Sequence, residues 1–536
     1  MHFLAGRALA AGIRSCACRP YTAAGDLQFS GMNAAEHLLG EQALARHGAS
    51  IALVCGEEVL TYRTLADEVG RAANALRALG VQPGERVLLL LRDTPEFVAA
   101  WLGAVRAGAV AIGLNTKLSE EEYRHVHADS GARLLIAEET LLGALGPLAA
   151  QLAREQRLAV GAAWRQQLRR AAPQGAFHPA RPQDAAFWLY SSGTTGRPKG
   201  IVHAHRDVLP AGQAQREVVG LGPGDKVFAT SKLFFAYALE NGLLGPLALG
   251  ATTILHPDWA DVEQIQAVVA RHRPTAVFSV PTFYRRLLAL QPERLAPFRE
   301  VRNYVSAGER LPEPVFEAWR AATGREILSV YGMSETFCVV MATPPGCAGA
   351  QRSGKPLRGV DVRLLADDGG EAATGAPGVL WVRHAALSSG YANRPEATRE
   401  QFRDGWFCTR DIFVRDAQGN YSHQGRSDEL VKIAGQWVQP GELEEAVLGL
   451  EAVAEAACVS VPDKDGFDRL ALFVTARGAD PQAAVAAAAQ ACEEKLPRHK
   501  RPKWILPVTE LPRTATGKVQ RFKLRELLER QRAAKD

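Results

Sequence analysis

Long apolar runs are missing from this chain. The longest apolar stretch, Phe97–Leu114, contains Arg106 and much alanine and glycine, which fits a buried helix and strand and not a membrane span. Cysteine is scarce: eight among 536 residues, scattered, with Cys16 and Cys18 the one close pair. That spacing suits neither a disulfide framework nor a zinc site, so a reducing compartment is expected. Excess charge is missing too. A formal net charge of +5 over this length does not describe a nucleic-acid-binding protein, and no nucleic-acid partner is expected. No internal repeat is present.

What remains is a globular composition, 47% hydrophobic and 23% charged. The length calls for two or more domains. The first 28 residues hold Arg7, Arg14 and Arg19 and no acid before Asp26. They read either as a mitochondrial-type presequence or as sequence upstream of a start at Met32, and the second is the expectation. The corresponding location is the cytoplasm, with the mitochondrial matrix as the alternative.

From Asn33 onward strand and helix patterns alternate. Leu60–Gly80 has helical spacing and opens at Thr61; Val87–Leu91 is a buried strand; a Pro95–Gly108 helix and a Val110–Leu114 strand follow. The same rhythm returns at Lys226–Thr230, Thr252–Leu255, Ala276–Val280 and Val301–Ser306. This predicts an α/β fold of parallel or mixed sheets with helices on their faces. After Gly354 short strands alternate with Gly/Asp turns, predicting a small β-rich subdomain. Beyond Gly425–Asp428 comes a compact α+β unit with a basic tail. The expected division is 33–426 for the large N-terminal domain and 429–536 for the small C-terminal one.

One stretch is unusually specific: Tyr190–Gly200, YSSGTTGRPKG, follows a strand-like run and precedes another. Its glycines let backbone N–H groups converge on an anion, Ser192, Thr194 and Thr195 add hydroxyl donors, and Lys199 adds a mobile charge. It is not a Walker A loop, because the GK[ST] ending and its helix are absent. The alternative reading is a surface turn of ordinary turn residues. Further along stand Ser306–Glu309 (SAGE), Tyr331–Thr336 (YGMSET), Asp411 in WFCTRD, Arg426 and Asp428 in GRSDELVKIAG, and Lys518 in PRTATGK. In this order, from about Asn33 to the C-terminus, they resemble the signatures of the adenylate-forming superfamily of acyl- and aryl-CoA synthetases, luciferases and adenylation domains.

That resemblance implies ATP, Mg2+ and coenzyme A, and a carboxylate that attacks the α-phosphorus of ATP. By resemblance, Ser192, Thr194, Thr195 and Lys199 hold the β- and γ-phosphates, and Glu335 holds Mg2+. Thr336 donates to the α-phosphate. Ser306, Gly308 and Glu309 carry the adenine-binding backbone, and Tyr331, followed by Gly332, stacks on the base. Asp411 accepts from the ribose hydroxyls and Arg426 adds a ribose or phosphate contact. Lys518 stabilises the transition state as a point charge. The C-terminal domain then rotates about a hinge matching Asp428 and presents Gly435 to pantetheine, and the basic tail suits the phosphates of coenzyme A. The positive φ that the usual glycine before the ribose aspartate takes disfavours Arg410, so a different local turn is expected there.

MNAAEHLL, SKLFFAYALENGLLGPLALGATT and KIAGQWVQPGELEEAV are most similar to the benzoate- and hydroxybenzoate-CoA ligase branch. In that branch Phe235, Ala236 and Tyr237 wall an aryl pocket and residues from Phe337 on close its end. The alternative is a buried connection without a ligand. The sequence departs from the branch at Glu240 and at Phe337-Cys338; Glu240 either binds a ring hydroxyl or amino group or faces solvent. The expected activity is an aromatic carboxylate–CoA ligase. Loading of a carrier protein and a medium-chain acid substrate are the alternatives, and the enzyme is expected as a monomer or homodimer.

Overall fold

The computed structural model of the chain describes residues 33–152, 157–160, 162–192, 197–259, 261–349, 352–427, 431–433, 436–463, 466–513 and 519–533. The leader, Thr194, Thr195, Asp428, Gly435 and Lys518 lie outside the described residues, and of Ser192 only the strand position is described.

Two α/β sheets build the large domain. One runs in the order Arg157–Val160, Leu134–Glu138, Arg86–Leu90, Val110–Gly113, Ala185–Ser192, Pro198–Ala204, all parallel except the last pair. The other has nine strands. Its parallel centre runs Ile327–Tyr331, Asn303–Ser306, Ala276–Ser279, Lys226–Ala229, Thr252–Leu255, Ile51–Cys55. Helices cover these strands, which is why they read as unbroken apolar runs. The helix Tyr62–Ala78 starts where the Thr61 hydroxyl accepts from Thr64 N–H. The helix Pro95–Ala107 has proline in its first turn and stops at Gly108, whose φ of 85° no side chain adopts easily. The Phe97–Leu114 stretch is thus a buried helix and strand. Its Arg106 donates to the carbonyls of Ala66 and Gly175 and lies over the Phe177 ring. Among the described residues no helix is long and apolar enough to cross a membrane.

The β-rich part follows as an antiparallel five-stranded sheet, with Trp406–Arg415 pairing Pro377–Arg383 on one side and Tyr421–Arg426 on the other. Here the sequence expectation for Arg410 needs correction. The left-handed turn is kept and arginine adopts it, at φ 61°. Val379 pairs with Ile412 but Trp381 with Cys408, so four residue steps on one strand face two on the other. That bulge creates the left-handed position, and Ser427 N–H donates to the Arg410 carbonyl at 2.7 Å.

The small C-terminal domain is a three-stranded sheet, Val453–Pro462, Asp468–Ala476 and Trp504–Pro507. Alternation divides its residues cleanly. Cys458, Leu470, Leu472 and Val474 pack with the helices Pro440–Leu448 and Pro481–Lys495. Val459, Val461, Ala471 and Phe473 pack with Leu524 and Leu528 of the helix Arg521–Ala533. Six free cysteines are described, none of them paired.

Candidate active site

Four neighbouring parallel strands end at Ala229, Ser279, Ser306 and Tyr331. The carboxyl ends of such strands are where open α/β sheets bind ligands. Just past the last of them, the YGMSET loop places groups on two sides.

On one side lies Glu335. The strands Ala185–Ser192 and Pro198–Ala204 pair Ser191 with Lys199 and Ser192 with Pro198. Lys199 Nζ then lies 3.0 Å from Glu335 Oε1 and 3.9 Å from the centre of the Tyr391 ring. The Tyr391 hydroxyl is 2.8 Å from Glu335 Oε1 and 2.8 Å from Gln401 Oε1. Burial, then the Glu335 carboxylate, pushes that phenol far above its ordinary pKa, so it stays a donor. A lysine over an aromatic face and against a carboxylate is a positive charge held in place but still exchangeable.

Beneath this pair sits His203, fully buried. Its Nδ1 lies 3.0 Å from Asp207 Oδ2 and its Nε2 lies 2.8 Å from the Ser334 carbonyl. The ring stacks on Phe187 at 4.8 Å. His203 therefore ties the strand that carries Lys199 to the loop that carries Glu335.

On the other side, the Tyr331 hydroxyl donates to Asp411 Oδ2 at 2.6 Å, and its ring packs edge-on to Phe413 at 4.9 Å. Burial and the nearby Asp411 carboxylate raise the Tyr331 pKa well above the ordinary value. Asp411 Oδ1 is 3.5 Å from Arg426 and 3.7 Å from His423, because Asp411 and Arg426 are register partners across the bulged pair of strands. Ser306 is buried, and its Oγ has no partner among the described groups. Gly308 follows with φ 84°.

The two hydroxyls flanking Glu335 differ. Thr336 is fully buried, and its Oγ1 accepts from Met333 N–H and lies 3.1 Å from the carbonyls of Met333 and Cys338. Its hydroxyl serves its own loop, whereas Ser334 is partly exposed. Ser334 was passed over in the sequence, as were Tyr391, Gln401, His203 and His423. The triplet Ser334-Glu335-Thr336 offered a signal for the first; the others meet the site only through tertiary contact.

In the expected acid pocket, Phe235 packs on Phe234 at 4.3 Å, with Ala236 beside it nearly buried. Tyr237 turns its hydroxyl to the carbonyls of Ser279 and Val305 at 3.3 and 3.2 Å. The Phe337 ring packs on Phe187 at 4.9 Å and on His203 at 5.5 Å. Its φ is 55°, a left-handed value that is rare for an aromatic residue. Glu240 does not face solvent: it is 1% exposed.

Residues 40–392 match the family model described as AMP-binding enzyme, and residues 442–518 match the AMP-binding enzyme C-terminal domain. The chain belongs to the AMP-binding enzyme family. A 3-hydroxybenzoate–CoA/4-hydroxybenzoate–CoA ligase of Thauera aromatica is 41% identical to it over 512 residues, covering 93% of this chain and 98% of that protein. A benzoate–CoA ligase of the same organism is 37% identical over 503 residues, covering 92% and 95%. Among solved structures, an anthranilate CoA ligase in complex with anthranoyl-AMP superposes with a TM-score of 0.86 at 34% identity, covering 93% of this chain and 97% of that one. A benzoate CoA ligase from Burkholderia xenovorans gives 0.83 at 32%, covering 92% and 100%.

The donor set fits the family's magnesium ion. Among the described residues no cluster of three metal-binding side chains exists. Mg2+ typically takes one or two carboxylates and fills its shell with phosphate oxygens and water, so Glu335 beside Lys199 suffices. The basic tail is thinner than its sequence suggests. Lys500 pairs with Glu442, Lys503 with Asp463, Arg513 with Glu455 and Arg521 with Glu444.

Proposed function

We propose that this enzyme is an ATP-dependent carboxylate–CoA ligase for an aromatic acid, acting through an acyl-adenylate. One observation carries the reading: a single loop, Tyr331–Thr336, has a phosphate-type pair, Glu335 and Lys199, on one side and a nucleoside-type cluster, Tyr331, Asp411 and Arg426, on the other. The names of the relatives, benzoate and hydroxybenzoate ligases, support the aromatic substrate.

In the first half-reaction a carboxylate oxygen bonds to the α-phosphorus of ATP and the bond to pyrophosphate breaks. Two anions must meet, so the residues supply positive charge and alignment. Lys199 leaves Glu335 for the phosphates. Glu335 is then free to hold Mg2+, which supplies charge neutralisation across the phosphates when bound. Ser334, the reachable hydroxyl of the loop, donates to the α-phosphate in place of Thr336. Asp411 exchanges the Tyr331 hydroxyl for ribose hydroxyls, with Arg426 beside it. Lys518 brings its charge to the reacting oxygens. In the second half-reaction the thiol of coenzyme A bonds to the acyl carbon and AMP leaves, its proton passing to solvent. The proposed domains are 33–426 and 429–536 with the hinge at Asp428, and the matched ranges 40–392 and 442–518 leave that hinge between them. The proposed compartment is the cytoplasm, where the unpaired cysteines stay reduced.

Pyrophosphate exchange into ATP, run with benzoate, hydroxy- and aminobenzoates and medium-chain acids, tests this reading. Exchange that is strongest with one ring acid, followed by thioester formation on adding coenzyme A, is expected. No exchange with any acid refutes the ligase. Exchange with transfer only to a holo-carrier protein refutes coenzyme A as acceptor.

A further inference from the structure

Glu240 is a carboxyl buried to 1% exposure, and among the described residues no cationic side chain is bonded to it. Such a group is costly unless its oxygens are satisfied, and the bonds it makes converge on one of them, Oε2. Oε2 accepts from Val339 N–H at 3.1 Å and from Asn241 Nδ2 at 3.0 Å. The Cys338 thiol nearby donates to the Asp207 carbonyl at 3.8 Å. Glu240 sits on a π-helical turn, Leu239–Leu244, directly after the short helix Ala236–Ala238, and such wide turns are frequent at functional sites. Asn241 is itself fixed: its Nδ2 also donates to the Tyr237 carbonyl at 3.0 Å, and Gln215 Nε2 donates to its oxygens at 3.0 and 3.1 Å.

The second observation lies on the far side of these bonds. Phe337, two residues before Val339, is held in the left-handed region. A bulky residue stays there only where its surroundings over-determine it. Before it, Phe337 N–H reaches the Ser334 carbonyl; after it, Cys338 N–H donates to the Thr336 carbonyl at 2.6 Å. Beyond that turn the Thr336 hydroxyl lies 3.1 Å from the Cys338 carbonyl, and Glu240 then takes Val339 N–H. The clamp therefore joins the Phe235-Ala236-Tyr237 wall to the segment 337–339, and through it to the YGMSET loop.

We propose that Glu240 is the positioning residue that sets the closed end of the acid pocket, and with it the choice of acid, by holding Val339 and the left-handed Phe337 in place. It acts through these residues and does not touch the reacting atoms. The proposal rests on the ligase reading above and names what makes its pocket selective.

Three variants test it: Glu240→Gln, whose amide oxygen still accepts from Val339 N–H; Glu240→Asp, whose shorter side chain keeps the acid but falls short of Val339; and Glu240→Ala. Pyrophosphate exchange with the same acid panel gives KM and kcat for each acid and KM for ATP. E240D and E240A are expected to raise KM for the preferred acid on the order of tenfold, the cost of leaving a buried N–H without its acceptor. They should also flatten the preference between ring acids and medium-chain acids, with KM for ATP within about twofold. E240Q should restore the wild-type order of acids. If E240A is insoluble, the comparison of E240D with E240Q decides. An unchanged acid profile in E240D, or an equal loss in E240D and E240Q, overturns the proposal. An inactive wild type would sink the ligase reading instead, so the two failures are distinguishable.

Discussion

Burial pulls Glu240 one way and its hydrogen bonds pull it the other. Desolvation raises its pKa from 4.5 to about 8, while Val339 N–H, Asn241 and Cys338 favour the charged form and hold it back. Tyr237 and Cys338 feel the Glu240 charge, and Asp207 beyond Cys338 is paired with His203 and Arg206. Because the folded pKa lies above the unfolded one, the native state binds this proton more tightly. The resulting stability is complete below pH 4.5 and is lost as the pH rises through about 8. Glu240→Gln removes that loss. Its stability relative to wild type should therefore grow between pH 5 and pH 8, by on the order of 3–5 kcal/mol at most. Thermal unfolding of both proteins across that range is the measurement, and a constant difference would mean the carboxyl does not titrate there. The two hydroxyls beside Glu335 make a second contrast at this scale. Ser334→Ala should leave the melting temperature alone and slow adenylate formation. Thr336→Val, which strips the loop of its internal staple, should cost about 1–2 kcal/mol of stability. Denaturant unfolding and pyrophosphate exchange on both variants separate the roles; a slower reaction in Thr336→Val with unchanged stability would return the phosphate contact to Thr336.

Elements show where a sequence speaks and where it is silent. Runs such as Val87–Leu91 were legible because helices cover both faces of the parallel sheet, so every residue is apolar. The edge hairpin Ile51–Cys55 and Glu58–Thr61 was not, since Val59 is 53% and Ile51 42% exposed and the alternation breaks down. The π-helical turn at Leu239–Leu244 and the bulge that sets Arg410 at positive φ leave no mark in composition. The motifs pointed to Lys199, Glu335, Tyr331 and Asp411, which three different sheets bring together: Lys199 from near the start of Pro198–Ala204, Tyr331 from the end of Ile327–Tyr331 with Glu335 just past it, and Asp411 from within Trp406–Arg415. Tyr391, Gln401 and His423 were missed because no spacing connects them to those residues. Gly70 is a case in which local propensity misleads. It lies mid-helix in Tyr62–Ala78, where alanine is the better helix former by roughly 1 kcal/mol. A Cβ at that position would overlap the Pro173 carbonyl oxygen, which is backbone and cannot swing away. Gly70→Ala should thus destabilise the protein by about 2 kcal/mol or more despite its propensity. A raised denaturation midpoint would show that the 171–178 segment can move aside.

At the scale of the whole molecule, the proposed reaction needs the small domain in two places. In that proposal Lys518 reaches the α-phosphate and then withdraws, so Lys518→Ala should lower adenylate formation by a factor of order 10²–10³ while transfer from preformed adenylate continues. Equal loss of both half-reactions would refute that division. The contacts between the domains suggest how one placement is held. Glu455 of the small domain takes Arg513 at 2.7 Å and Arg285 of the large domain at 3.6 Å. Arg513 pairs with Val519 in an isolated antiparallel bridge. A second tie joins Arg310, just past the adenine-type backbone at Ser306–Glu309, to Glu445 at 2.8 Å. Both partners of that tie are partly exposed, so the pair is worth at most about 1 kcal/mol. An equilibrium between two placements is sensitive to that amount, because about 1 kcal/mol changes a population ratio about fivefold. Arg310→Glu should accordingly shift the ratio of adenylation to thioester formation by up to about fivefold, with pyrophosphate exchange and single-turnover transfer as the two readouts. The charge swap R310E/E445R rebuilds the pair with its ends exchanged and should bring the ratio back. If the single and double variants both match wild type, the pair is a surface contact that the moving domain makes and breaks without consequence. If the single variant shifts the ratio and the swap does not restore it, Arg310 acts on the nucleotide and not on the other domain.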